Sequence, residues 1–217
     1  MLSPLLVVIF SLIKLQSVHS KNTTISNDII NIPKVASGLS NSNFISAQYF
    51  YVKHMPMFRF DLDTVSSTFV KIPGLLISVN HETPMLYKIH FSAGCYMPQF
   101  VHSYIHFMIN DMILIDNKLL PNTNNRHTYV PKLGNDLFQV DSHGASFMRS
   151  SDTAGTYYTC TKYELVYLPP NLHVIEAVVR TDQPSLYIHT GTLTVELTQY
   201  TQDARIGLSY PSEHSDL

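Results

Sequence analysis

Apolar and polar side chains alternate along most of this chain, and that alternation limits the folds that the chain can adopt. In the segment Leu86–Phe91, three apolar side chains would lie on one face of an extended strand, and a lysine and a histidine on the other. The same period recurs over residues 101–109 and 192–198. A period of two is typical of a half-buried strand, whereas an amphipathic helix repeats every 3.6 residues. The sequence therefore predicts strands and no long helix.

Turn signals separate these segments. Pro73-Gly74 and Asn110-Asp111 predict bends or hairpin turns, and Pro169-Pro170-Asn171 predicts the end of a strand. Gly191 interrupts the last segment and predicts a bulge or a bend. Two sheets that face each other would bury all the apolar faces in one core. We therefore predict an all-β fold, a two-sheet antiparallel β-sandwich that is jelly-roll-like.

Residues 116–155 do not follow this pattern. They are rich in Asn, Gly and Pro and contain few apolar runs. We predict a loop-rich region, with one or two short strands near Thr128–Val130 and Leu137–Val140. Long loops on a β framework often form the functional surface.

The first twenty residues predict secretion. An apolar run from Leu5 to Ile13 precedes Val18 and Ser20, which occupy the small-residue positions that a signal peptidase needs. A spanning helix needs about 20 apolar residues, roughly twice the length of this run. We therefore predict a cleaved signal peptide at residues 1–20, a secreted, extracellular protein and no membrane span after cleavage. An uncleaved signal anchor is the alternative.

The remaining chain divides into three parts. Residues 21–43 are polar and predict a flexible tail, in which Asn22-Thr23-Thr24 is a glycosylation sequence; we expect Asn22 to carry a glycan. Residues 44–202 form the predicted sandwich domain, and residues 203–217 a second flexible tail. The two cysteines, Cys95 and Cys160, are expected to form a disulfide in an oxidising compartment. Two unpaired thiols, or a bridge between two chains, are the alternatives.

One strand carries candidate interface residues. In the segment 101–109, four side chains lie opposite the predicted core face. Either another strand or a tail covers this face, or it forms a subunit interface, where aromatic residues and Met are enriched. The four residues are His102, Tyr104, His106 and Met108.

The residue patterns support no catalytic or metal site. His81-Glu82 lacks the second histidine of a zinc-protease motif, and Ser142-His143 does not lie in a nucleophile-elbow sequence. The net charge is −2 and the chain shows no basic patch, which argues against nucleic acid as a partner. We therefore expect no enzyme, no cofactor and no resident metal.

Four segments carry a family resemblance. The strand Tyr87–Ser92, the strand–turn–strand unit Ile105–Ile115, the step Leu168–Val174 and the closing strand Gly191–Leu197 resemble the complement globular-head and tumour-necrosis-factor jelly-roll superfamily. The resemblance covers roughly residues 45–200. It implies homotrimers that bind extracellular protein or glycan ligands.

These observations together predict a class of function. We expect a secreted, non-enzymatic domain that recognises extracellular protein or glycan and self-associates. A jelly-roll hydrolase that acts on glycans is one alternative, and a structural component of an extracellular matrix or coat is another.

Overall fold

A computed structural model describes residues 29–32, 45–98, 101–149, 155–201, 204 and 206–213. Within these residues the strands are β1 (Ile29–Ile32), β2 (Ile45–His54), β3 (Arg59–Leu62), β4 (Val70–His81), β5 (Met85–Met97), β6 (His102–Ile109), β7 (Met112–Ile115), β8 (Lys118–Pro121), β9 (Ser146–Arg149), β10 (Thr156–Leu168), β11 (Asn171–Thr181), β12 (Leu186–Tyr200) and β13 (Ser212–Glu213). A 3-10 helix (Arg126–Tyr129) and one α-helix, α1 (Leu137–Ser142), interrupt them. None of the helices in this part of the chain is long and apolar enough to cross a membrane.

The strands form two sheets. Sheet A has the order β1-β4-β11-β6-β7-β8-β13, with β9 paired to the part of β6 that β7 leaves open. Sheet B has the order β10-β5-β12-β2, with β3 also paired to β12. All pairs are antiparallel except β1 with β4 and β8 with β13. The predicted all-β, two-sheet, jelly-roll-like sandwich is confirmed.

The core lies between the sheets, and the predicted alternation places it there. Ile105 and Phe107 of β6 point into it from sheet A, and Leu193 and Val195 of β12 point into it from sheet B; all four are fully buried. Their neighbours along each strand point to the outer faces of the sandwich. The outer faces therefore decide which surfaces are available for binding.

The disulfide is confirmed within one chain. Cys95 of β5 and Cys160 of β10 are joined in the core, with Cα atoms 5.8 Å apart. The bridge excludes the two alternatives, free thiols and a link between chains. It closes a loop of 65 residues, for which the chain-entropy relation gives a stabilisation of about 4 kcal/mol.

Two tight turns organise the hairpins of sheet A. Asn110 and Asp111 both have left-handed φ angles, 52° and 65°, as a type I′ turn requires, so the predicted hairpin is confirmed. Asp116 and Asn117 repeat this geometry, with φ of 53° and 58°, between β7 and β8. The sequence does not predict this second hairpin, because the stretch from residue 116 is rich in Asn, Gly and Pro, which indicates a loop.

Three local predictions need correction or refinement. Pro73-Gly74 does not end a strand but lies in a bulge within β4, opposite the register shift between Glu176 and Val178 of β11. Gly191 likewise lies at a register shift inside the continuous strand β12, as the bulge interpretation predicted. The short strands predicted near Thr128–Val130 and Leu137–Val140 are wrong, because a 3-10 helix ends at Tyr129 and an α-helix spans Leu137–Ser142.

The predicted tails are partly structured. Ile29–Ile32 pairs with β4, and Ser212–Glu213 pairs with β8, so these residues are not loose ends. Tyr210 also stacks on Tyr167 of β10, with ring centroids 5.3 Å apart. The predicted signal peptide and Asn22 lie outside the described residues.

A substitution at Gly74 tests the bulge in β4. Gly74 has a φ of 76°, and an added Cβ would overlap the Cδ atom of Pro56. We expect Gly74→Ala to lower the free energy of unfolding by about 2 kcal/mol, because it combines a left-handed backbone with a steric clash. Urea denaturation measures the change. Gly207→Ala is the control, since its Cβ would meet no atom within 4 Å; equal losses in both variants would contradict the expectation.

Candidate functional site

The outer face of sheet A is covered by the chain itself. Residues 122–145, here called the cap, fold over it and enclose a second apolar cluster. Its buried members are Phe69, Tyr104, Met108, Ile113, Ile115, Leu120, Val130, Val140 and Val178. The cap begins after β8 and ends before β9, so both of its ends are anchored in sheet A. The region that was predicted to be loop is therefore a packed layer.

The cap corrects the interface prediction. Tyr104, His106 and Met108 do point away from the sandwich core, as the alternation predicted, but they are buried beneath the cap. A second copy of the chain could reach them only if the cap were displaced. The same chain therefore covers these three residues, although the covering segment is the cap and not another strand or a tail. His102, at the start of β6, is only partly buried, and its role in an interface stays a prediction.

A buried ion cluster holds the cap on the sheet. Asp141 of α1 accepts two hydrogen bonds from Arg126, at 2.7 and 2.5 Å, and its Oδ2 lies 2.7 Å from Nε of Arg180 in β11. Arg126 and Asp141 are completely excluded from solvent. His106 of β6 bonds through Nε2 to the backbone oxygen of Asp141, at 2.9 Å. The cluster therefore links the cap to two strands of sheet A.

The local sequence explains why α1 forms at this point. Asp136 precedes the helix, and its carboxylate accepts a hydrogen bond from the backbone N–H of Gln139, which is a standard N-cap. Val140 of the helix then packs into the apolar cluster, next to the buried Asp141. The N-cap starts the helix, and the adjacent Val140 and Asp141 both point inward. The carboxylate of Asp141 is therefore buried against the sheet.

A half-exposed aromatic cluster lies at the edge of the cap. Phe138 of α1 is 48% exposed and Phe147 of β9 is 39% exposed. The ring of His102 stacks on Phe147, with centroids 5.8 Å apart, and meets Phe138 edge-on at 5.6 Å. Tyr104 lies beneath both phenylalanines, 6.3 Å from Phe138 and 5.4 Å from Phe147. We call these four residues the aromatic cluster.

The position of His102 in this cluster is set by Asp182. The backbone N–H of His102 donates to one carboxylate oxygen of Asp182 at 2.8 Å, and its Nδ1 lies 2.5 Å from the other. Below it, the guanidinium of Arg180 lies 4.4 Å from the ring centroid of Tyr104. The exposed rings are therefore supported by a rigid polar layer. Rigid aromatic side chains with a polar surround are typical of binding hot spots.

The outer face of sheet B has a different character. Its side chains form rows across the strands, and we call the surface made of five of these rows the open face. The rows are Tyr157, Tyr96 and Tyr187; Thr159, Gly94 and His189; Thr161, Ser92, Thr192 and His54; Tyr163, His90, Thr194 and Val52; and Leu165, Lys88, Glu196 and Phe50. Phe50 is 63% exposed and Tyr163 is 55% exposed. In the described part of the chain, the apolar cluster outside the core lies on sheet A alone.

A pair of buried histidines closes one end of the sandwich. The rings of His81 and His173 lie 5.2 Å apart and both contact Tyr87. His81 shares a hydrogen bond with the carbonyl of Thr83, and His173 with that of Pro169. Burial is the main cause that lowers the pKa of both rings, to about 4 for His81. Both rings are therefore neutral near pH 7.

The described residues contain no group of three or more His, Cys, Asp or Glu side chains that could hold a metal ion. The candidate surfaces present mainly aromatic and hydroxyl groups. Sequence patterns missed the aromatic cluster, because Phe138 and Phe147 lie in the segment interpreted as loop. The alternation does predict the exposed tyrosines of β10, since Tyr157 and Tyr163 lie opposite the core face.

Comparisons with known proteins add little to this picture. No protein-family model matches the chain, and no curated protein is a significant match. A solved structure, titled "Structure of infectious bursal disease virus Gx strain", matches with a TM-score of 0.38 and 10% sequence identity. The match covers 79% of this chain and 37% of the viral chain, so this chain spans little more than a third of that protein's length.

Proposed function

We propose that this protein is a secreted, non-enzymatic binding domain that recognises an extracellular protein or glycan and that self-associates. The aromatic cluster is the main support for the binding role. It combines two phenylalanines that are about half exposed with a histidine held by a carboxylate, on a layer that buried ion pairs keep in place. The intramolecular disulfide fits the oxidising surroundings of a secreted protein.

The chemistry of the cluster suits both kinds of ligand. Aromatic rings bury a large apolar area with little loss of conformational entropy, which is why they dominate protein interfaces. The imidazole and carboxylate of His102 and Asp182 supply hydrogen-bonding groups beside the rings. The sequence resemblance to the complement globular-head and tumour-necrosis-factor superfamily implies the same class of ligand.

Replacing the two exposed phenylalanines tests the proposal. Fluorescently labelled protein, secreted by cells that express the full chain, is applied to a printed glycan array and to an array of receptor ectodomains. We expect binding on one of the arrays, and a loss of about 30-fold in affinity for Phe138→Ala/Phe147→Ala, the size of a binding hot spot. Thermal unfolding shows whether the variant remains folded.

Phe58→Ala is the matched control, because Phe58 is 74% exposed and lies between β2 and β3, outside the aromatic cluster. It should bind like the unmodified protein. An absence of binding on both arrays would contradict the proposed function. Cleavage of an arrayed glycan by the protein would instead favour the hydrolase alternative.

A further inference from the structure

We propose that two copies of this chain pack their open faces against each other, about a twofold axis that runs parallel to the strands between β5 and β12. This inference rests on the self-association in the proposed function and specifies the surface and the number of copies. A contact in which both copies use the same surface closes at two, in place of the trimer that the family resemblance implies.

Strand register determines which residues would meet. Rotation about this axis places each residue of β5 opposite the residue of the partner's β12 at the same level, and places β10 opposite the partner's β2. Each row of the open face then lies opposite the same row of the partner subunit, with the order of its residues reversed. The pairing of the two faces can therefore be read directly from the observed register.

The charges on the open face are self-complementary in this arrangement. Lys88 of β5 and Glu196 of β12 are paired in register, and Nζ of Lys88 lies 2.6 Å from Oε1 of Glu196. The axis passes between them, so that Lys88 of each copy faces Glu196 of the partner subunit. The result is a ring of four alternating charges. At the edge of sheet B, Arg59 is likewise paired with Asp61, at 2.6 Å, so neither copy presents an unbalanced charge.

The apolar side chains are complementary in the same way. Leu165 of β10 and Phe50 of β2 occupy opposite ends of one row, and Tyr163 and Val52 occupy opposite ends of the next. The rotation places Leu165 over Phe50 of the partner subunit, and Tyr163 over Val52 of the partner subunit. All four side chains are at least 40% exposed in the single chain. Dimerisation would therefore remove these four exposed side chains from water.

The area of the open face is close to what a stable contact needs. Four strands of about 4.8 Å width and nine residues of about 3.4 Å length give a planar area of about 600 Å² per copy. Two such faces approach the lower limit of stable interfaces, about 1,200 Å² in total. The sequence has its single N-glycosylation signal at Asn22, so no N-glycan is attached to this face.

Three tyrosines lie side by side at one end of this face. The tyrosine row is stacked on itself, with ring centroids 4.3 Å apart for Tyr96 and Tyr157, and 5.8 Å apart for Tyr96 and Tyr187. The guanidinium of Arg59 lies 4.7 Å from the centroid of Tyr187. The ring of Tyr96 is therefore flanked by a ring on each side, whereas Tyr157 is 74% exposed. Edges and hydroxyl groups remain available for contact with protein.

Charge reversal provides the first test. Sedimentation velocity across a concentration series should show a dimer for the unmodified protein, and Lys88→Glu should weaken it about 100-fold or more, because two like-charged pairs would face each other. The exchange Lys88→Glu/Glu196→Lys should restore the dimer. Lys132→Glu is the control, since Lys132 is exposed and lies in the cap. A monomer or a trimer throughout the series would overturn the proposal.

Cysteine crosslinking provides the second test. Within one chain, positions 165 and 50 are three strands apart, about 14 Å, which is too far for a disulfide. Leu165→Cys/Phe50→Cys should therefore form a covalent dimer under oxidation. Tyr157→Cys/Phe50→Cys, whose positions differ by eight residues along the strands or about 27 Å, should not. Equal crosslinking in the two double-cysteine variants would overturn the arrangement. The array experiment on Phe138 and Phe147 tests ligand binding independently of the dimer.

Discussion

Acidification from pH 6.5 to pH 4.5 will lower the free energy of unfolding by several kcal/mol. Three buried histidines are neutral in the folded protein at pH 6.5. Burial lowers the pKa of His106 and of His81 to about 4, and lowers that of His173 as well. The unfolded chain binds protons on the same residues near pH 6.5. Between pH 4 and pH 6.5, unfolding is therefore accompanied by the uptake of protons.

The direction of the effect follows from this difference. Between about pH 6.5 and pH 4 the unfolded state binds more protons than the folded state, so stability falls as the pH falls. The neutral histidines make their full contribution to the free energy of unfolding above pH 6.5. Below pH 4 this contribution is lost, and stability no longer falls on their account. His106, which is fully buried, contributes about 2–3 kcal/mol of this loss by pH 4.5. His81 and His173 add to it in the same direction.

The surroundings of His106 explain why protonation is unfavourable there. Its ring lies edge-on to Phe69, with centroids 5.3 Å apart, and the charge of Lys162 opposes a second positive charge. The backbone oxygens of Asp141 and Leu114 and the charge of Asp141 act in the opposite direction but are outweighed by burial. His81 and His173 oppose each other's protonation, since their rings are in contact.

Urea denaturation at several pH values measures this effect. In His106→Gln, which keeps an amide donor but cannot titrate, we expect a shallower pH dependence by about the contribution of His106. His143→Gln, at an exposed position, is the control for the substitution itself. An unchanged free energy of unfolding between pH 6.5 and pH 4.5 would show that the buried rings are not held neutral.

Asp141→Asn will lower the free energy of unfolding by about 3–5 kcal/mol. The substitution preserves the shape of the side chain but leaves the buried guanidinium groups of Arg126 and Arg180 without a counter-charge. Because Asp141 joins the cap to sheet A, we also expect faster amide exchange across residues 126–142. Chemical denaturation and hydrogen exchange measure the two effects.

Two further variants make this test specific. Asp136→Asn changes an exposed carboxylate in the same segment, and Asn is an equally good N-cap, so we expect almost no loss. The triple variant Arg126→Met/Asp141→Leu/Arg180→Met removes all three charges together and should recover most of the lost stability. Equal stability of Asp141→Asn and the unmodified protein would mean that the ion cluster does not anchor the cap.

Alternation predicted the parts of the fold that depend on one strand at a time. Residues such as Ile105 and Leu193 lie in the core because a strand with one apolar face must bury that face, whichever strand it pairs with. The same pattern assigned Tyr104, His106 and Met108 to the opposite face correctly. It could not show what covers them, because the covering residues are 20 to 40 positions away and show no period of their own.

The candidate site illustrates the same limit. Phe138 and Phe147 lie in a segment rich in Asn and Gly, and only the packing of α1 and β9 beside His102 brings their rings together. Asp141 was visible as an acidic residue, but its partners Arg126 and Arg180 belong to the cap and to β11 respectively. Contacts between distant segments leave no signal in the spacing of residues.

The amino-acid pattern alone determined that this chain forms strands, that two apolar sheet faces meet, and that Cys95 and Cys160 are available to pair. These properties follow from local geometry and burial, which each segment carries in its own residues. Only the tertiary structure decided that sheet A is capped while sheet B presents an open face. That difference depends on where residues 122–145 pack, and their position is set by a buried carboxylate that finds two arginines.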